Sequence, residues 1–346
     1  MKKISRLLGL DPFVLLLFFS IFLAWIFPKP GSSTDTVSLY SVSHYGISLI
    51  FFFYGLRLNW IKIREGLFNL KLHLVVLGAT FLLFPLLVLL IMFYFHGIPT
   101  AREIMDLDRM GMVATSHLQT VGTGLWLGIF FLAALPSTVS SSVVMVNIAK
   151  GNVPGAIFDA SISSLLGVFF TPLWMGIFIT SETGGQGLSQ VLASLTFQVL
   201  VPVLLGIALH RPFGWFSEKY DSLLKKFDQT IILLIVYTSF CHSFEEEMFS
   251  GLSMRLLILL SAGMIALFFI VYYIIDFVVY FLKFNREDRI TALFCGSKKS
   301  LVHGTVMSMV ILGNPKLAGI LILPTMIYHA LQLLIVSMIA NKMRKE

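Results

Sequence analysis

Phe294-Cys295-Gly296-Ser297-Lys298-Lys299-Ser300-Leu301 sets two adjacent lysines inside an otherwise apolar run over 290–312. A lysine at the centre of a membrane helix costs roughly 2.5–3.5 kcal/mol on insertion scales. Neighbouring side chains leave a helix about 100° apart, so the pair cannot readily snorkel to one interface. A second interruption, Leu135-Pro136-Ser137-Thr138-Val139-Ser140-Ser141-Ser142, lies within the apolar run 124–149, where Pro136 removes a backbone hydrogen bond and five hydroxyls follow within six residues. Backbone at membrane depth unwinds only where protein or water satisfies it. Two broken helices at corresponding positions are the strongest pointer in a sequence to a transport site.

Outward from these breaks the chain is apolar. Of its 346 residues 57% are hydrophobic and 12% charged, mean hydropathy is +0.89, and Phe occurs 32 times. A soluble domain carries about a quarter charged residues, so this chain has too little polar surface for water. Apolar runs long enough to span a bilayer fall at 12–27, 40–56, 72–95, 124–149, 153–179, 188–209, 229–244, 254–282, 290–312 and 317–340. The expected fold is therefore an all-α integral membrane protein with ten transmembrane helices, broken in the fourth and ninth. Ten divides into two halves of five, and an odd-numbered repeat inserts upside down. The predicted repeats are 1–180 and 188–346, related by inverted topology. The run Phe13–Phe27 follows Lys2, Lys3 and Arg6 like a signal peptide, but no small-residue cleavage site follows it, and it is read as the first span.

Lysine and arginine set orientation. In the ten-span reading, 18 fall on the side of both termini and five on the other, which places both termini in the cytoplasm of a plasma (inner) membrane, multi-pass protein. The net charge of +7 is spread over short loops, which suits a lipid surface and not nucleic acid. Cys241 and Cys295 lie in separate apolar segments and suggest no disulfide.

The candidate substrate and ion-site residues are Ser137, Thr138, Ser140, Ser141, Ser142, Asp159, Ser163, Ser297, Lys298, Lys299, Ser300 and His303. Half-helix N-termini at such breaks attract anions, and freed carbonyls attract cations. The competing reading of each hydroxyl is a bond to its own helix or a small-residue packing contact. For the lysines it is an interfacial position. Asp159, on one helix face with Ala156, Ala160 and Ser163, is the natural counterion, with Asp276 as the alternative. An ammonium held between the two breaks, accepted by Ser140, Ser141, Ser142 or freed carbonyls, is expected. Gln198, His329 and Gln332 read as interhelical hydrogen-bonders, and Glu245–Glu247 as a solvated face.

Together with Gly151-Asn152-Val153-Pro154, Thr171-Pro172-Leu173, and Leu323-Pro324 followed by His329 and Gln332, the two breaks resemble those of the bile acid:sodium symporter superfamily. The string Cys295-Gly296-Ser297-Lys298-Lys299-Ser300 is similar to its SBF-like branch, which includes the member-7 branch of solute carrier family 10. The resemblance implies inverted five-helix repeats, with a core of helices 3–5 and 8–10 moving against a panel of helices 1, 2, 6 and 7. It also implies that helices 4 and 9 cross at their breaks, with sodium behind the crossing in the coupled relatives. Of the sodium ligands implied, Ser142 is retained. Val143, Ala156, Ala160, Leu293, Ser297 and Lys298 stand where relatives carry asparagine, serine, threonine, glutamate, glutamine and asparagine. Hard cations need oxygen ligands, so the resemblance carries the architecture without the sodium site.

The reading is a secondary transporter of a small organic, anionic solute working by alternating access in the lipid bilayer. No cofactor is expected, and the coupling ion, sodium or proton, is open. Two alternatives stand beside it. One is a membrane regulator of calcium homeostasis, suggested by the member-7 branch. The other is an intramembrane hydrolase built on Ser297 with Lys299, or a thiol pair of Cys295 with His303, for which no hydrolase motif surrounds these residues.

Overall fold

In lipid only a helix or a closed barrel satisfies every backbone group, so long apolar segments fold as helices. The structure, a computed structural model, describes residues 12–32, 38–57, 69–95, 117–179, 193, 196–245, 252–312 and 315–344. The described helices are α1 (Pro12–Ile26), α2 (Leu39–Leu56), α3 (Leu70–Phe95), α4 (His117–Ala134), α5 (Ser140–Ile148), α6 (Val153–Ile179) and α7 (Thr196–Lys219). They continue with α8 (Asp221–Glu245), α9 (Met254–Phe281), α10 (Arg286–Gly296), α11 (Leu301–Leu312) and α12 (Pro315–Met343), and a single turn at Lys29–Ser32 follows α1. No strand occurs among the described residues.

Six of these helices, α3, α6, α7, α8, α9 and α12, are long and apolar enough to cross a membrane, while α1, α2 and α4 are apolar but shorter. Large apolar side chains such as Trp25, Phe93, Phe95, Phe277 and Phe281 stand exposed on the outside. Such a surface is stable in hydrocarbon and not in water. The chain is a multi-pass integral membrane protein.

Two expected runs are longer or displaced. The seventh run, expected at 229–244, is the longer helix α8, whose first turns carry the ion pair of Asp221 with Lys225 at 2.6 Å. Charged residues at that spacing keep a helix going beyond the apolar region. The sixth run, expected at 188–209, ends only at Lys219, and 188–192 lie outside the described residues. The fourth and ninth runs are interrupted at 135–139 and 297–300, where the polar strings lie.

α2 packs on α7, α8 on α1, α2 and α12, α4 on α3 and α12, and α6 on α3, α4, α5 and α10. The α2–α7 contact is made backbone to backbone. A Cβ on Gly206 would meet the Phe52 carbonyl oxygen at 2.1 Å, and one on Gly55 would meet that of Val203 at 2.2 Å. The ends of α3, α6 and α10 are gathered by Asp288, whose carboxylate accepts from Asn69 (2.7 Å), Asn152 (2.7 Å) and Asn285 (3.1 Å).

Candidate functional site

Breaking two helices in the membrane strands backbone groups, and each must find a partner. The breaks find several in each other. The Ser300 N–H donates to the Pro136 carbonyl (2.9 Å), and the Ser137 hydroxyl donates to the Cys295 carbonyl (2.6 Å). The Ser137 N–H turns to the Ser163 hydroxyl (3.0 Å) and the Ala134 carbonyl to that of Thr171 (2.8 Å), both on α6. α12 closes the other side. Tyr328 donates to the Ser297 carbonyl (2.7 Å), and Gln332 brackets Lys299, its Oε1 accepting from the Lys299 N–H (2.9 Å) and its Nε2 donating to the Lys299 carbonyl (2.8 Å).

Three further carbonyls are taken by one side chain. The Lys299 Nζ donates to the carbonyls of Ala133 (2.6 Å), Leu135 (2.8 Å) and Thr80 (2.8 Å), and lies 4.2 Å from the centre of the Phe84 ring. The Thr80 carbonyl is freed by a proline. The π-turn Ala79–Leu83 shifts the Phe84 N–H to the Ala79 carbonyl, and the next residue, Pro85, has no N–H to give. The carbonyls of Ala133 and Leu135 are open because α4 ends at Ala134 and the Ser137 N–H, the helical partner of the Ala133 carbonyl, turns to Ser163.

Lys298 points elsewhere. Its Nζ donates to the Ser141 hydroxyl at 2.7 Å, in the first turn of α5. Thr138 Oγ1 lies 2.9 Å from the hydroxyls of both Ser141 and Ser142, and Ser142 reaches the Phe294 carbonyl at 3.5 Å. Beyond the second break the Ser300 hydroxyl bonds to His303 Nδ1 (2.9 Å), while His303 Nε2 is buried without a partner. The His303 ring meets Phe51 and Tyr54 of α2 edge-on, at 5.9 and 6.1 Å between centroids.

The two lysines are wholly buried, so neither points to solvent or to a lipid headgroup. The counterion expectation is corrected: neither ammonium meets a carboxylate. Asp159 instead bonds through Oδ1 to His73 Nδ1 of α3 at 2.7 Å, and its buried Oδ2 has no partner among the described residues. Asp276 pairs with Arg289 near the end of α9, at 2.7 and 3.0 Å. Asp159 shares a face of α6 with Ser163, which reaches the break, but stands four residues, about 6 Å, along the axis from it, and at that level it meets His73 of α3. Ser297 takes the bland reading, bonding the Leu293 carbonyl of its own helix at 2.6 Å. With the Lys299 amine taken up by carbonyls and Ser297 bonded to Leu293, these two form no serine–lysine pair, and His303 bonds Ser300 and not Cys295. The Ser140 side chain, Glu246 and Glu247 lie outside the described residues.

Sequence reasoning passed over His73, Thr80, Phe84 and Pro85. Pro85 was the available signal, an imino acid inside an apolar span that has no N–H to give to the preceding turn.

The profile of the SBF-like CPA transporter family matches residues 11–345. The chain belongs to that family. An uncharacterized protein of Pseudomonas aeruginosa is 33% identical over 333 residues, 96% of this chain and 92% of the relative. The YfeH protein of Escherichia coli, whose name marks it as a candidate symporter, is 33% identical over 346 residues, 99% of this chain and 95% of its own. Sodium/bile acid cotransporter 7 of Rattus norvegicus is 25% identical over 307 residues, 86% of this chain and 82% of the relative. The SBF-like chain is thus a membrane transporter by family, and the relatives named for a function are named as transporters, not as enzymes.

Proposed function

We propose that this SBF-like protein is a secondary active transporter of a small organic anion, moving it by alternating access across the plasma membrane. The observation that carries the reading is Lys298. Its ammonium is wholly buried, uses one of its three donors among the described residues, on Ser141, and lies at the N-terminal turn of α5. Helix N-terminus and ammonium add there, which makes an electropositive point in a low-dielectric setting. A carboxylate, sulfonate or phosphate on the solute supplies the acceptors that Lys298 lacks.

The same proposal reads the chain as ten spans, with α4 and α5 forming one and α10 and α11 another, in inverted repeats at 1–180 and 188–346. The core is then spans 3–5 and 8–10, the panel is spans 1, 2, 6 and 7, and both termini are cytoplasmic. Ser137, Thr138, Ser141, Ser142, Ser300 and His303 line or support the crossing, and His303 against Phe51 and Tyr54 joins core to panel. Coupling by protons is the reading favoured over sodium. The buried His73–Asp159 pair, with Oδ2 of Asp159 unpartnered, is a group that can take and give a proton, whereas oxygen ligands are replaced at Val143, Ala156, Ala160 and Leu293.

Uptake of labelled carboxylates, sulfonates and organic phosphates into proteoliposomes, driven separately by sodium and pH gradients, tests it. Accumulation of an anion under a pH gradient, indifferent to exchange of sodium for choline and lost in Lys298→Met, is expected. Uptake confined to neutral or cationic solutes, or a saturable requirement for sodium, contradicts the proposal.

A further inference from the structure

We infer that Lys299 is a tethered cation: its ammonium occupies a cage for a monovalent cation built from main-chain carbonyls, and holds three helices together as a bound ion would. The inference does not depend on which solute is carried. It rests on the count of donors. Three carbonyl oxygens, of Thr80, Ala133 and Leu135, stand 2.6–2.8 Å from Nζ. An ammonium has three N–H donors and serves all of them. A neutral amine has two, and would turn its lone pair on the third oxygen at a distance where two lone pairs repel. The ring face of Phe84 at 4.2 Å adds a second, independent feature that attracts positive charge. Carbonyl oxygens arranged around a cation in place of water are how a protein accepts a monovalent ion at membrane depth.

The cage is built by the backbone. Pro85 and the π-turn Ala79–Leu83 open the carbonyl on α3, and the end of α4 at the first break, where the Ser137 N–H turns to Ser163, opens those of Ala133 and Leu135. Lys299 itself is pinned at both its N–H and its carbonyl by Gln332 of α12, so the ammonium is aimed from a fixed point. No carboxylate takes part, which separates this cage from an ion pair. Lys299 is a positioning residue: the crossing of the two breaks is held without an inorganic ion, and the cation cannot leave.

Chemical rescue tests this on the purified full-length protein. Lys299→Ala removes three carbons and the ammonium, which propylammonium replaces. The thermal unfolding midpoint of this variant is measured against increasing propylammonium, sodium, potassium, choline and tetramethylammonium chloride at constant ionic strength. A saturable rise on the order of 5 °C with propylammonium, or with sodium or potassium, but not with the two quaternary ions that lack N–H donors and are too large, is expected. The wild-type midpoint should respond to none of them. A variant as stable as wild type, or one unresponsive to every small cation, overturns the inference. Should Lys299→Ala not accumulate, the native protein labelled with nitrogen-15 lysine gives the second measurement. One side-chain nitrogen should resonate as an ammonium with protons protected from exchange, and should persist in Lys298→Ala. A neutral amine, or rapid exchange at every lysine, overturns it equally.

Discussion

Lys298 and Lys299 are neighbours with different work, because a step of one residue turns the side chain by about 100°. Lys299 satisfies three main-chain oxygens, each of which would otherwise cost on the order of 1–3 kcal/mol as a buried unpaired group. Among the described residues, Lys298 meets one hydroxyl, which already has Thr138 as a neighbour. Stability therefore rests on the second lysine and the proposed anion contact on the first. The other buried charge is Asp159, held by His73 with one oxygen unpartnered. From the elements packed against it, the titratable groups within electrostatic reach are His73 on α3, and Asp288 and Cys295 on α10, while α5 carries none. Asp159→Asn keeps an oxygen able to accept from the imidazole but cannot exchange a proton. An alkaline pH jump on purified protein, followed with an indicator dye, should show fewer protons released by Asp159→Asn than by wild type, with melting little changed. Equal release would remove this pair from proton coupling.

At the scale of elements, α2 and α7 approach until glycine is the only side chain that fits. Gly206→Ala would drive a methyl against the Phe52 carbonyl at 2.1 Å, and backbone cannot move aside as a side chain can. Gly263 on α9 has nothing within 4 Å of the same added atom. Gly206→Ala should lower the melting midpoint sharply or abolish accumulation in the membrane. Gly263→Ala should be neutral, or stabilising by up to about 1 kcal/mol, from better helix propensity. Comparable melting curves for the two would mean that the α2–α7 contact is not backbone to backbone. The helices themselves were legible from hydropathy, as were the two breaks, since a proline with hydroxyls or a pair of lysines cannot sit quietly in an apolar run. Helix ends were less so: nothing in the apolar count told α8 to begin at Asp221, because that turn is held by a charge pair.

For the whole molecule, the proposed orientation has a direct check in α9. Its 28 residues make a rod of about 42 Å, enough to cross the bilayer, so Arg255 and Lys283 at its ends must face opposite sides. Both native cysteines are buried, so a cysteine placed at either end can be read alone. In intact cells an impermeant maleimide should label Arg255→Cys and leave Lys283→Cys unlabelled until the membrane is opened. The reverse pattern would invert the orientation, and labelling of both would break the span.

Composition and the spacing of apolar runs, by themselves, determined that this chain lives in lipid, that its apolar runs are helical, and where two of those helices break. These depend on local chemistry: hydrocarbon tolerates no unpaired backbone, and proline removes a donor wherever it stands. The same local rules favoured an inward turn of the two lysines over an interfacial position. Only the tertiary structure decided their partners. Asp159 shares the apolar depth of the lysines, but α6 turns it to His73, and Lys299 finds its acceptors on carbonyls of α3 and α4. A carbonyl carries no mark in the sequence, since every residue has one. Which of them lies open, and within reach of an ammonium 164 to 219 residues away, is settled by how helices stack and not by what any segment prefers alone.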